Sequence, residues 1–156
     1  LIKDQMPAKL LLIGDGPERQ NLEKLTRQVC MEEDVYFLGK QEAVEELLAI
    51  ADLFILPSET ESFGLAALEA MACEVPVIST NTGGIPEINI QGVTGYLSDV
   101  GDVADMAKNA LLILKDEETL IQFKKNAIMQ ANKFSLDNIL PQYEAYYKKV
   151  LAEGGK

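Results

Sequence analysis

The 156-residue sequence, 47% hydrophobic and 25% charged, has the composition of a soluble globular domain with enough apolar content for one core. Its formal net charge of -11 lacks the basic stripe of a nucleic-acid binder and argues against nucleic acid or an anionic membrane surface as partner. The sequence has no histidine, which excludes imidazole acid–base chemistry and the common zinc sites; the 2 cysteines, Cys30 and Cys73, form no CxxC pair and fit a reducing, cytoplasmic compartment.

Leu1 to Met6 reads as the tail of a helix with no cap and no strand before it, so a cut chain is expected. Short aliphatic runs then recur at Leu10–Ile13, Val35–Leu38, Leu53–Leu56 and Val75–Ser79. Each is continuous rather than alternating, which predicts parallel strands buried on both faces. Between them, helical spacing covers Pro17–Met31, Glu42–Ala51 and Gly64–Ala72. A weaker fifth strand is expected at Tyr96–Ser98, followed by helices over Val103–Leu114, Glu117–Lys133 and Leu136–Leu151. This order predicts an α/β fold with a doubly wound, Rossmann-like parallel sheet whose ligands lie at the carboxyl ends of the strands.

The loops at those ends carry the candidate chemistry. Gly14-Asp15-Gly16-Pro17 opens a helix with Pro17 expected at its first position. It superficially follows a dinucleotide fingerprint, but Arg19 stands where the third glycine is required, which argues against NAD. The run Pro57 to Ala72 leaves a strand through a polar loop, with Ser62 expected as N-cap, and starts a helix near Gly64. Free amides at that start suit a pyrophosphate. Glu69 lies in an almost wholly apolar helix, where it either occupies one solvent-facing stripe or accepts hydrogen bonds from a ligand diol. Finally, Gly83-Gly84-Ile85-Pro86-Glu87 describes a permissive turn into a short helix, beside the previous helix start, where Gly83 and Gly84 are expected to admit the transferred group.

Together these segments resemble glycosyltransferase family 4, the retaining enzymes of GT-B fold, in their C-terminal domain. The resemblance rests on Glu61 and Glu69 as the two glutamates of an E-x7-E signature. It is supported by Gly14 to Pro17, Phe37 to Gly39, Ala51 to Ser58, Glu69 to Cys73 with Pro76-Val77, and Gly83 to Glu87. It implies that Glu61 contacts the donor sugar and that Glu69 binds the ribose. It also implies that the amides of Phe63, Gly64 and Leu65 meet the distal phosphate, and that Gly39 and Lys40 hold the base.

Within the family the chain resembles the branch of bacillithiol synthesis, implying UDP-N-acetylglucosamine as donor and L-malate as acceptor; the family resemblance implies no metal or other cofactor. The family's pyrophosphate-clamping Arg and Lys are expected ahead of Leu1, as is an acceptor-binding N-terminal domain; a homo-oligomer through an exposed sheet edge is a further expectation. Glu74 replaces the family's usual glycine at a position that needs left-handed backbone. The competing readings are a non-catalytic nucleotide-binding module of the same fold and a UDP-sugar epimerase.

Overall fold

The computed structural model describes residues 1–154. Its strands are β1 (Leu10–Ile13), β2 (Val35–Gly39), β3 (Phe54–Leu56), β4 (Val77–Thr80) and β5 (Gly95–Ser98). The helices are α1 (Arg19–Gln28), α2 (Val44–Leu48), α3 (Leu65–Ala72), α4 (Ile85–Ile88), α5 (Val103–Leu114), α6 (Glu117–Asn132) and α7 (Leu136–Glu153). Every strand pair is parallel, as continuous aliphatic runs require. The strands do not form one ladder, however. β1 pairs with β2, and separately β3, β4 and β5 pair in that order.

Two clusters bury the second sheet. On one face of β4, Val77 packs with Ala67, Ala70 and Met71 of α3, Ile88 of α4 and Ala127 and Ala131 of α6. Ile78 points the other way, into Met106, Ala110 and Ile113 of α5 and Phe123 of α6. This period-two division leaves all four residues of β4 buried. Small alanines on α3 and α6 let those helices pack closely against each other.

The β4–β5 ladder is held by a buried polar group, Asn89, at the end of α4. Its amide donates to the Val77 carbonyl at 3.1 Å, the Ser79 hydroxyl at 2.8 Å and the Tyr96 carbonyl at 3.3 Å, while its own oxygen accepts from Thr94 at 3.0 Å. Each of its polar atoms is therefore satisfied in the interior.

Both α1 and α3 end in the same device. After α3, Glu74 is left-handed at φ 62°, its N–H donates to Met71 and that of Val75 donates to Ala70. After α1, Cys30 at φ 55° and Met31 make the equivalent bonds to Arg27 and Thr26. These are Schellman closures with a non-glycine residue at the left-handed position. The expectation for Glu74 is met. Three other expectations change. α1 begins at Arg19, because Gly16 to Arg19 form a turn first, closed by the Arg19 N–H on the Gly16 carbonyl at 3.2 Å. α2 is shorter than expected, and Leu1 to Met6 form a single turn closed by the Met6 N–H on Ile2, not a helix.

Candidate functional site

The loops that follow β1 and β2 meet each other. Gly14, at φ 113°, donates its N–H to the Gly39 carbonyl at 2.7 Å, and Gly39 is itself left-handed at φ 68°. Beside this junction Asp15, Gly16 and Lys40 line an open hollow of about 310 Å³. A neighbouring hollow of about 300 Å³ runs from Leu12 to Leu22 and includes Phe37. Arg19 borders it, with its guanidinium 5.8 Å from the centre of the Phe37 ring and its Nε donating to Glu23 at 3.0 Å. Arg19 is the residue that stands where a dinucleotide fingerprint requires its third glycine. Its place instead is on the wall of a cleft, where Lys40 is the other cation.

The second cluster lies where β3 and β4 end. Gly64 is the residue before α3, left-handed at φ 91° and buried against Ile85 and Ile88. It takes the N-cap place expected for Ser62, and no side chain caps the helix. The reason is that Ser62 is committed elsewhere: its carbonyl accepts the Gly84 N–H at 3.1 Å, and its N–H donates to Glu61 Oε1 at 3.0 Å. The amides of Leu65 and Ala66 thus start the helix without a backbone acceptor among the described residues, on exposed positions.

Gly83 and Gly84 press on this loop. A Cβ on Gly83 would fall 1.6 Å from the Glu61 carbonyl oxygen, and one on Gly84 2.8 Å from that of Ser62. The room their absent side chains leave is filled by the backbone of Glu61 and Ser62. They act as the mould of the Glu61 loop. Thr80 reinforces it by donating its hydroxyl to the Ser58 carbonyl at 2.6 Å, and Phe63 is fixed edge-on against Phe134 at 5.8 Å.

α3 is not buried all round as its composition suggested. Ala67, Ala70 and Met71 face the core, whereas Leu65, Ala66 and Glu69 form an open stripe that starts at the unpaired amides. Glu69 is exposed on that stripe, and the half-buried Cys73 follows it one turn later. Burial first, then the carboxylates of Glu45 and Glu69, push the Cys73 thiol above its ordinary value. Glu61, Phe63, Gly64, Leu65, Glu69, Gly83 and Gly84 are therefore one assembly, and Gly14, Gly39 and Lys40 are another. Both stand at the carboxyl ends of parallel strands, where open α/β sheets bind ligands. Among the described residues no group of three or more acidic or thiol side chains converges as a metal site, and no helix is long and apolar enough to cross a membrane.

Residues 1–130 match the family model described as glycosyl transferases group 1. The chain is 48% identical, over 153 residues, to the N-acetyl-alpha-D-glucosaminyl L-malate synthase of Bacillus anthracis, covering 97% of this chain and 40% of that protein. It is 35% identical over 156 residues to a D-inositol 3-phosphate glycosyltransferase of Corynebacterium urealyticum, covering 93% of this chain and 36% of the relative. The chain thus spans two fifths or less of the length of these relatives. Among solved structures, HepE of Anabaena in complex with UDP superposes with a TM-score of 0.86 at 26% identity, covering 95% of this chain and 43% of its own. The α/β fold is accordingly that of the GT-B glycosyltransferases. On the match of its first 130 residues and on these likenesses, the chain belongs to the glycosyl transferases group 1 family.

Proposed function

We propose that the protein is the nucleotide-sugar-binding part of a retaining glycosyltransferase that passes N-acetylglucosamine from UDP-N-acetylglucosamine to L-malate. The observation that carries the donor site is the stripe on α3, where unpaired amides at Leu65 and Ala66 lie in line with Glu69 and beside the moulded Glu61 loop. An elongated anion fits that line: phosphate at the positive end of the helix, ribose further along at Glu69, sugar toward Glu61. The UDP named in the HepE complex supports the nucleotide, and the name of the Bacillus anthracis relative supports both sugar and acceptor.

In this reading the amides of Phe63, Gly64 and Leu65 hold the distal phosphate, while Gly39 and Lys40 border the base. Gly14 supports that border through its bond to Gly39. Charge develops on the leaving phosphate as the sugar C1–O bond breaks, and fixed amide dipoles stabilise it. The acceptor hydroxyl attacks from the same face; its oxygen bonds to C1 as its proton passes to the departing phosphate oxygen. No protein base is required, in keeping with a chain that has no histidine. Neither a metal nor another cofactor is needed, and the acceptor is held mainly by a part of the full-length protein outside these residues.

The test is Glu69→Gln in the full-length protein, titrated calorimetrically with UDP. Losing a charge-assisted pair of hydrogen bonds is worth about 1.5–3 kcal/mol, so Kd rises at least tenfold with the fold intact. Unchanged affinity returns Glu69 to an ordinary solvent-facing position. Incubation with UDP-N-acetylglucosamine alone tests the class of reaction: an altered sugar in the recovered donor indicates an epimerase, whereas this proposal requires L-malate before the donor is consumed.

A further inference from the structure

Around the hollow where the Gly14 and Gly39 loops meet, the acceptors are already in use. The Gly39 carbonyl receives the Gly14 N–H at 2.7 Å, and the Leu38 carbonyl receives the Gln41 side-chain amide at 2.6 Å. The neighbouring carboxylates each accept a bond from their own segment: Asp15 from the Gly16 N–H at 2.9 Å, Glu18 from Asn21 at 2.8 Å and Glu23 from Arg19 Nε at 3.0 Å. What is left over are donors. Among the described residues, Nη1 and Nη2 of Arg19 and Nζ of Lys40 make no hydrogen bond or ion pair, although both side chains border the cleft.

Arg19 is also fixed in direction. Its backbone N–H closes the turn on the Gly16 carbonyl at 3.2 Å, its Nε is tied to Glu23 one turn along α1, and its guanidinium lies 5.8 Å from the centre of the Phe37 ring. Nη1 ends beside Gly39, where a Cβ built on that glycine would lie 3.7 Å from it. The side chain is 37% exposed. A planar fork restrained at Nε and against an aromatic ring loses little freedom when its outer nitrogens donate to a ligand.

The kind of ligand follows from this asymmetry. Asp15, Glu18 and Glu23 outnumber Arg19 and Lys40 around the hollow, so a further anion is disfavoured there, whereas a neutral group rich in acceptors suits the free donors. Nucleobases differ in this respect: uracil, like thymine, offers a carbonyl where cytosine offers an exocyclic amine.

We infer that Arg19 determines base specificity in the donor site, its outer guanidinium nitrogens donating to a carbonyl of an oxo-pyrimidine base and rejecting an amino base. The inference rests on the proposed donor site, which puts the base beside Gly39 and Lys40. An exocyclic amine would there meet a fork of N–H groups, with the acceptors around it engaged by the chain itself, and a donor facing a donor is a penalty rather than a weaker bond. Lys40 is a point charge on a flexible stem and imposes less direction; the fork of Arg19 sets it. A glycine at position 19, as the dinucleotide fingerprint has, would bring no donor to the base.

Calorimetric titration of the full-length protein with UDP and with CDP separates this role from its rivals, because the two ligands differ in the base and share ribose and pyrophosphate. Wild type is expected to prefer UDP by about tenfold or more; Arg19→Met loses about tenfold in UDP affinity while its CDP affinity stays within about twofold, so the preference collapses. Arg19→Gln, whose amide offers an acceptor as well as donors, narrows the preference in the same way and covers the case in which Met disturbs folding. Equal losses for UDP and CDP overturn the inference, assigning Arg19 to the phosphates or to propping the Gly39 loop. Unchanged UDP affinity overturns it too, as does a wild type that binds both ligands alike. Glu69→Gln measured in parallel keeps the two claims apart. A protein that loses UDP affinity with Glu69→Gln but keeps its preference with Arg19→Met retains the donor site without this role, whereas one that binds no UDP loses both.

Discussion

The β1–α1–β2 unit and the β3–β4–β5 unit are written in the same kind of sequence, a short aliphatic strand feeding a helix, but they differ in what covers them. In the second unit α3, α4, α5 and α6 close over both faces, and β4 has no exposed residue. In the first, Leu22 and Leu25 of α1 and Val29 just after it are exposed along with the ends of β1, and Thr26 is the buried residue of that helix. Strand identity is thus set by local sequence, whereas burial is set by how many layers lie around the strand. The second unit supplies most of the stability and moulds the Glu61 loop. The first supplies an open cleft with Arg19 and Lys40.

Paired substitutions put that contrast to the test, and the largest effect is expected at the glycines. Gly83→Ala drives a Cβ into the Glu61 carbonyl oxygen at 1.6 Å and destabilises by more than about 4 kcal/mol, or prevents folding. Gly14→Ala meets nothing within 4 Å and pays only for its positive φ, about 1–2 kcal/mol. Urea unfolding monitored by circular dichroism measures both, and similar losses contradict the division. Next come the aliphatic pairs. Ile78→Ala opens a cavity in a sealed core and costs about 2–5 kcal/mol. Ile13→Ala, at a residue 37% exposed, costs under about 1.5 kcal/mol in the 156-residue chain. The smallest effect is a gain. Glu74→Gly removes left-handed strain at φ 62° after α3 and raises stability by about 1 kcal/mol, a few degrees in Tm. Cys30→Gly, at φ 55° after α1, relieves the same kind of strain and is expected to add about as much.

The strands were legible because uninterrupted aliphatic runs have few alternatives in a chain of this length, and the short helix after Gly84 was announced by its glycine and proline. The left-handed backbone at Glu74 was implied only by the family resemblance, in which a glycine usually holds that position. The split of the sheet was not, because pairing depends on which strands lie side by side, and no single run encodes its neighbour. Ser62 illustrates a second limit. It is a good N-cap by type, but its carbonyl was already engaged by the Gly84 N–H, a contact across more than twenty residues. The paired glycines signalled a turn while giving no sign of what they pack against. Arg19 gives no signal of its own in a chain that lacks the dinucleotide motif, although its position two residues beyond Pro17, facing Phe37, places it beside the cleft.

Cys73 turns the α3 stripe into something that can be watched. Its thiol lies one turn beyond Glu69 and is pushed up by burial and by Glu45 and Glu69, so at neutral pH it is mostly protonated and slow toward alkylating dyes. The thiolate at Cys73 forms only as the pH rises beyond the ordinary thiol range. In a Cys30→Ser background, alkaline labelling therefore attaches one fluorophore to the protein, at the far end of the stripe. A nucleotide seated along Leu65, Ala66 and Glu69 shields or shifts that dye, and its emission becomes an optical gauge of donor occupancy that works without any turnover.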